Sequence, residues 1–554
     1  MTERKASDLF VACLEAEGVE YIFGVPGEEN ADIMISLDAT DKVRFVLTRH
    51  EQGAAFMADV YGRLTGRAGV CLGTLGPGAT NLVTGVADAN MDRAPCVVLT
   101  GQADTNRLHK ESHQAMDVVG MFKPITKWAW SIANAENIPE VIHKAFRLAE
   151  EEKPGACHIE LPENIAEHTA KAQPMTRNRL RRPVADDKIA DRAFEQIRLA
   201  KSPIVLAGNG AIRKRASKQL RRLAELTGLG VASTFMGKGA VSRHDPHCLF
   251  TVGLQSRDVI SCAIDAADLV ITVGYDAVEY LPEFWNPQAD KTVIHLDFDE
   301  AESDHHYQPT VEMVGDIAHS LWMLCERFEA LTDKPTYDFT RQARARLEMQ
   351  EDLATHSADD TEGSIRPQKA LWDLREALGP DDIVLSDVGA HKMWIARHYH
   401  CETPGTCLMS NGFCSMGFAL PGAIAAKLVY PERNIVAVCG DGGFLMNVQE
   451  METAKRLETD IVVMVWEDQE YGLIAWKQWN TFGRHTDLSF ANPDFALLAK
   501  AFQWNYFHTD KSRDLRATLD AALAASGPSL VVIPIDYREN RKLSERLGNL
   551  QCSI

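Results

Sequence analysis

Short apolar runs recur along the chain, separated by longer segments whose apolar residues return every three or four positions. Residues 21–25, 43–48, 69–74 and 96–100 make a first set of runs, 203–207, 269–273 and 293–296 a second, and 383–386, 435–439, 461–466 and 530–533 a third. Each run is only a few residues long, rich in aliphatic side chains and little interrupted by polar ones. That is the pattern of a strand covered on both faces. The segments between them have the length and period of amphipathic helices. Alternation of this kind predicts an α/β protein in which parallel sheets are flanked by helices. Two polar stretches break the alternation. The first, 170–188, contains Gln173-Pro174 and a basic run at 177–182; the second, 350–367, is acidic and poor in large apolar residues. Read as linkers, they divide the chain into three domains, 1–170, 186–345 and 366–540.

Composition narrows the class of function. A chain of 554 residues is too long for one core of ordinary size, and 45% hydrophobic with 25% charged residues is a folded-globular balance. The formal net charge of -20 disfavours nucleic acid and anionic membrane surfaces as partners, while leaving room for a locally positive site that takes a small anion. Mean hydropathy is -0.19, and no run approaches the ~20 apolar residues of a spanning helix, so no membrane segment is expected. Residues 1–8 lead into an amphipathic helix containing acidic residues, without a signal-peptide core, and the expected address is cytoplasmic. The twelve cysteines are scattered. Cys71, Cys96 and Cys439 sit in apolar runs and read as buried reduced thiols, and the spacing of Cys401, Cys407 and Cys414 fits no common zinc site.

Parallel sheets bind ligands beyond the carboxyl ends of their strands, so the residues just past each run carry the candidate chemistry. Gly440-Asp441-Gly442-Gly443 follows 435–439, a helical segment is predicted over 446–457, and 461–466 then ends in Glu467-Asp468-Gln469-Glu470. A single right-handed crossover separates Asp441 from Asp468, 27 positions on, and brings the two strand ends together. Two carboxylates with phosphate oxygens would suit octahedral Mg²⁺, and Gly442 and Gly443 would admit phosphate to backbone N–H groups at a helix start. The same residues also suit a plain glycine turn with two solvated aspartates. In the first block, Arg49-His50-Glu51-Gln52-Gly53-Ala54-Ala55 opens a helix ending near Leu64; a glutamate there ordinarily serves the helix dipole. Gly208-Asn209-Gly210 reads as a strand–helix turn rather than a dinucleotide site.

These segments, with Phe23-Gly24-Val25-Pro26-Gly27, Gly73-Thr74-Leu75-Gly76-Pro77-Gly78-Ala79-Thr80-Asn81 and Ser415-Met416-Gly417-Phe418, resemble the thiamine-diphosphate-dependent enzymes. The resemblance runs from Ala6 to about Asp536 and is nearest to flavin-free, catabolic-type acetolactate synthase large subunits. It implies that Asp441, Asp468 and the backbone carbonyl of Glu470 hold Mg²⁺. In the family the second ligand is usually asparagine, aspartate being typical of the catabolic type, and the position of Glu470 is often glycine. Glu51 would hydrogen-bond the aminopyrimidine, favouring the imino tautomer that takes the thiazolium C2 proton. Pro26, Gly27, Thr74, Gly76 and Asn81 would approach the cofactor rings, Asn411 the pyrimidine, and Met416 would wedge the rings into a bent shape. Asp387, Gly389 and Ala390, with Gly440, Gly442 and Gly443, would hold the diphosphate. His113 and Gln114 would face the reacting carbon, and Tyr471, Trp476 and Lys477 would line the substrate pocket. Lys477 stands where relatives carry glutamine or tryptophan.

The catabolic likeness rests on His113-Gln114-Ala115-Met116-Asp117, Phe122-Lys123-Pro124-Ile125-Thr126-Lys127, Gly274-Tyr275-Asp276-Ala277-Val278-Glu279-Tyr280, Trp285-Asn286 and Val465-Trp466. Flavin-containing relatives have an arginine-rich segment in place of Tyr275-Asp276 and a lysine in place of Glu163, so the resemblance argues against FAD. The implied reaction is decarboxylation of a 2-keto acid with carboligation, most simply two pyruvates to 2-acetolactate and CO₂. A decarboxylase or carboligase with another donor or acceptor, or an FAD-linked 2-keto acid oxidase, are the alternatives. The family also implies a homo-oligomer, dimer or tetramer, with active sites at the subunit interface.

Overall fold

The computed structural model describes residues 3–178, 182–213, 215–253 and 259–540; residues 179–181, inside the basic run of the first expected linker, lie outside it. It contains three six-stranded sheets whose ladders are all parallel, each flanked by helices. The predicted α/β class therefore holds. The first sheet runs, edge to edge, Arg44–Leu47, Tyr21–Gly24, Gly69–Gly73, Cys96–Gln102, Ala156–Pro162, Trp128–Ser131. The third runs Cys407–Met409, Ile383–Ser386, Ile435–Gly440, Val462–Glu467, Ser529–Pro534, Asn505–His508. Numbered within each sheet, both have the order 2-1-3-4-6-5. The middle sheet runs Cys248–Thr251, Gly230–Ser233, Pro203–Ala207, Leu269–Val273, Thr292–Asp297, Val311–Val314, the doubly wound order 3-2-1-4-5-6. A two-stranded antiparallel ribbon pairs Arg4–Lys5 with Thr169–Ala170.

All eleven anticipated strands are present, with ends shifted by at most two residues. Most of those not anticipated are sheet edges, paired on one side only, where the run is short or carries polar residues: Trp128–Ser131, Cys248–Thr251, Val311–Val314, Cys407–Met409 and Asn505–His508. The strand Ala156–Pro162 is central but holds His158 and Glu160. Both are buried and bond across to the neighbouring strand: Thr100 Oγ1 pairs with His158 Nε2 at 2.8 Å, and Gln102 Nε2 donates to Glu160 at 2.9 Å. Polar pairs inside the sheet thus hide a strand from hydropathy. Two expectations need correction. The stretch 350–367 is not all linker, because helix Thr340–Ala354 runs into it. The helix expected over 446–457 is two helices, Asp441–Met446 and Glu450–Arg456, broken where Asn447 Nδ2 turns back to donate to the Gly417 carbonyl at 2.7 Å.

The first and third sheets face each other through helices Glu51–Thr65 and Ala419–Val429, which share one hydrophobic core. Phe56 and Phe418 meet edge to face at 5.6 Å, the arrangement aromatic rings prefer. Gly422 lets the helices close up: a Cβ there would lie 2.9 Å from Val60 Cγ2. Among the described residues no helix is long and apolar enough to cross a membrane.

Candidate active site

In both outer sheets the strand order reverses between strands 1 and 3, which opens a crevice beyond their carboxyl ends. In the third sheet these are Ile383–Ser386 and Ile435–Gly440, so Asp387 to Ala390 and Gly440 to Gly443 flank the crevice by topology alone. A cavity of about 340 Å³ occupies it, lined by Gly389, Ala390, Asn411, Met416, Gly440, Asp441, Gly442, Gly443, Asp468, Glu470, Tyr471 and Lys477 together with residues not anticipated, notably His391 and Lys392.

Asp441 heads the short helix that follows its strand and is buried. Its Oδ1 accepts from Gly442 N–H at 2.8 Å; its Oδ2 accepts from the N–H groups of Asp468 (3.1 Å) and Gln469 (2.7 Å) and from Asn492 Nδ2 (2.8 Å). Burial, and next the charge of Asp441, push the Asp468 carboxyl up to about 8. Two carboxylates crowded in a half-buried crevice are an arrangement that a shared cation stabilises. No group of three or more His, Cys, Asp or Glu side chains capable of holding a metal occurs among the described residues. The donor set therefore suits a metal whose other ligands come from a phosphate-bearing cofactor, backbone or water.

The cavity fits a diphosphate in a second way. His391 lies between Gly389 and Gly440, where a Cβ would stand 2.8 and 3.2 Å from its Cε1. Its Nε2 is buried without a protein partner, and burial depresses its pKa to about 3, so it is a neutral ring with an unmatched polar atom in a cavity lined by glycine backbone. Gly443 is confined by Asp387, whose Oδ2 would be 2.8 Å from an added Cβ. Asp387 itself does not line the cavity, contrary to its expected contact with the diphosphate. It is fully buried and accepts from Gly417 N–H (2.8 Å) and Val388 N–H (2.7 Å), pinning the Met416 loop to the strand end. Trp476 also departs from expectation: it opens onto an adjoining pocket of about 550 Å³ with Trp479, His485 and Arg538.

The N-terminal candidates gather at the matching crevice of the first sheet. Glu51 begins helix Glu51–Thr65, capped by His50, whose Nδ1 accepts from Gln52 N–H at 3.1 Å. The Glu51 side chain is buried and accepts from Asn81 Nδ2 at 2.9 Å, and a Cβ on Gly78 would come 3.3 Å from its Oε1. Gly27 packs directly on Thr74. Gly76 has φ +54° and lies under Gln114, whose carbonyl would be 2.9 Å from a Cβ there; Gln114 also has positive φ, +57°. His113 and Gln114 are exposed. None of these residues lines the cavity around Asp441, whose wall is built from Phe235 onward. The candidates thus fall into two groups at equivalent topological positions of the two outer sheets. They are tied at their backs by Glu450, which accepts from the N–H groups of Arg49 and His50, both at 3.0 Å. The loop bearing Asn411 is fixed on the N-terminal region too, with Asn411 and Gly412 N–H donating to Asp92 at 2.7 and 2.6 Å.

In the middle sheet, the first N–H of helix Asn209–Ile212 donates to the Glu279 carboxyl at 3.1 Å, and Thr234 Oγ1 donates to the same group. The helix start of the Gly208-Asn209-Gly210 turn is thus closed by a side chain. Tyr275 is buried under Trp285, whose Nε1 donates to its hydroxyl at 3.2 Å.

Comparison with known proteins decides the family. The model of the thiamine pyrophosphate enzyme N-terminal TPP binding domain matches residues 4–121, that of the central domain 190–324, and that of the C-terminal TPP binding domain 387–533. An acetolactate synthase of Bacillus subtilis is 35% identical, covering 98% of this chain and 95% of the relative. The chain belongs to the thiamine pyrophosphate enzymes. The catabolic acetolactate synthase of Raoultella terrigena is 36% identical over 99% of this chain and 97% of its own, and acetolactate synthase 1, chloroplastic, of Nicotiana tabacum is 34% identical over 97% and 82%. As a thiamine pyrophosphate enzyme, the protein takes thiamine diphosphate as its cofactor. Both matched TPP-binding models span a sheet with the 2-1-3-4-6-5 order and its crevice, at least in part.

His391, Lys392, Asn492 and Glu450 were not anticipated. His391 and Lys392 carried a readable signal: a histidine and a lysine inside a buried helical stretch, with no acidic residue three or four positions from the lysine. Asn492 and Glu450 carried none, since their partners are 51 and about 400 positions away.

Proposed function

We propose that this protein condenses two molecules of pyruvate to 2-acetolactate and CO₂, using thiamine diphosphate held through Mg²⁺. The observation that carries the reading is the cavity at the third sheet's switch point, where Asp441, Asp468 and unpartnered His391 Nε2 converge on a glycine-lined wall in a chain aligned end to end with acetolactate synthases. Asp441, Asp468 and the Glu470 carbonyl would bind the metal; Gly389, Ala390, Gly440, Gly442, Gly443 and His391 would receive the diphosphate. Bound thiamine diphosphate supplies the electron sink for the carbon that loses CO₂. Glu51, shielded from water and steadied by Asn81, would share a proton with a ring nitrogen of the aminopyrimidine. Pro26, Gly27, Thr74, Gly76 and Asn81 would enclose the rings, Asn411 and Met416 would orient them, and His113, Gln114, Tyr471 and Lys477 would bound the space for substrate.

The domains are 1–170 for the pyrimidine, 186–345 central and 366–540 for the diphosphate. Because the Glu51 half-site is absent from the cavity wall of its own chain, the working site pairs Glu51 of one copy with Asp441 of another, and the protein is at least a homodimer. The middle domain is proposed to work without FAD, as the Glu279 carboxyl closes its helix start and Tyr275 fills its core. The test is product analysis with pyruvate, thiamine diphosphate and Mg²⁺. Acetolactate and CO₂ in equal amounts are expected; acetaldehyde or acetate as the main product would replace this reading with a decarboxylase or an oxidase.

A further inference from the structure

Three lysines are buried among the described residues, and they are satisfied differently. Lys238 donates to three oxygens, Thr251 Oγ1, the Ala396 carbonyl and the Tyr399 carbonyl, at 2.7–3.0 Å, which uses every N–H of an ammonium. Lys369 pairs with the Asp373 carboxylate at 2.8 Å and the Ser357 carbonyl at 2.9 Å. Lys392, on helix Ala390–His398 and 4% exposed, has only the Ser410 carbonyl at 2.8 Å and Cys414 Sγ at 3.1 Å, with the Phe235 ring 5.9 Å away. It forms no ion pair with a described carboxylate, and it lines the cavity that holds Asp441 and Asp468. A desolvated cation with an unused donor is costly unless an anion completes it.

The geometry points to Lys392 as the group that receives the carboxylate of the acceptor 2-keto acid. This rests on the reaction proposed above and assigns a substrate contact within it. The acceptor, not the donor, is the fitting partner. The donor's carboxylate leaves as CO₂, and an ammonium bonded to it would stabilise the ground state and slow that loss. The acceptor's carboxylate persists into the product, so a cation can hold it throughout. Of the cavity's two lysines, Lys477 is exposed and Lys392 is buried, and the buried one makes the stronger charge-assisted contact. The loop that carries Ser410 and Cys414 positions the ammonium: Ser410 Oγ donates to Asp88 at 2.5 Å, and Cys414 Sγ contacts the Asn411 carbonyl at 2.8 Å.

The experiment uses holoenzyme with Lys392→Gln, Lys392→Arg and Lys477→Gln, each checked for wild-type thermal unfolding. Oxamate, an unreactive keto-acid analogue, is titrated by calorimetry. Separately, pyruvate and propanal compete as acceptors, and the ratio of acetolactate to the neutral hydroxyketone is measured. Lys392→Gln is expected to weaken oxamate at least tenfold and lower the ratio at least tenfold; Lys392→Arg should recover most of both. Unchanged oxamate affinity, loss that arginine fails to recover, or a loss confined to Lys477→Gln overturns the assignment. If wild-type protein makes no acetolactate while oxamate still follows the charge at position 392, the reaction is wrong and the cation site stands.

Discussion

Asp441 accepts four hydrogen bonds while facing Asp468 across a crevice, and few substitutions would be so specific in effect. Asp441→Ala removes one of the two carboxylates proposed for Mg²⁺ and leaves the sheet's core untouched. Thiamine diphosphate affinity, measured by calorimetry in the presence of Mg²⁺, should fall below detection while thermal unfolding stays cooperative. Wild-type affinity would remove Asp441 from the metal site. Glu51→Gln preserves side-chain shape and the contact with Asn81 but cannot share a proton. Exchange of the bound cofactor's C2 proton should slow by about 10²–10⁴-fold, the range of positioned acid–base groups. An unchanged exchange rate would leave Glu51 serving only the dipole of its helix.

At the scale of elements, the join between the two outer sheets carries a pH signature. Glu450, which binds the Arg49 and His50 amides, has its carboxyl pushed up to about 7, chiefly by burial. A raised carboxyl pKa means the folded state holds its proton more tightly than the unfolded chain. This contribution to stability is complete below the ordinary glutamate range and is lost as pH rises through about 7. Glutamine at 450 removes the titration, so Glu450→Gln should gain on wild type between pH 5 and pH 8 by on the order of 1–3 kcal/mol in denaturant unfolding. Parallel profiles for the two proteins would contradict it.

Elements also show how far sequence could be read. Runs such as Pro203–Ala207 and Ile383–Ser386 were legible because strands buried on both faces must be apolar. Ala156–Pro162 was not, because it carries His158 and Glu160, which bond to cross-strand partners that no local window contains. The same division runs through the site. Asp441 and Asp468 were legible from one crossover, whereas Asn492 reaches Asp441 across 51 positions, and Asp387 turned out to anchor a loop rather than face the cavity.

At the scale of the whole molecule, the two outer sheets repeat one strand order and each presents a crevice, but the Glu51 side and the Asp441 side do not share a cavity within one chain. Helices Glu51–Thr65 and Ala419–Val429 already spend their apolar faces on each other. In the proposed dimer, a second copy brings Glu51 opposite the Asp441 cavity. Co-expression of Glu51→Gln and Asp441→Ala chains, each inactive alone, tests this arrangement. In a mixed dimer one site combines both defects and the other has neither, and random pairing makes half the dimers mixed. About one quarter of wild-type acetolactate formation should return. Absence of activity in preparations shown to contain mixed dimers would contradict an active site built from two chains.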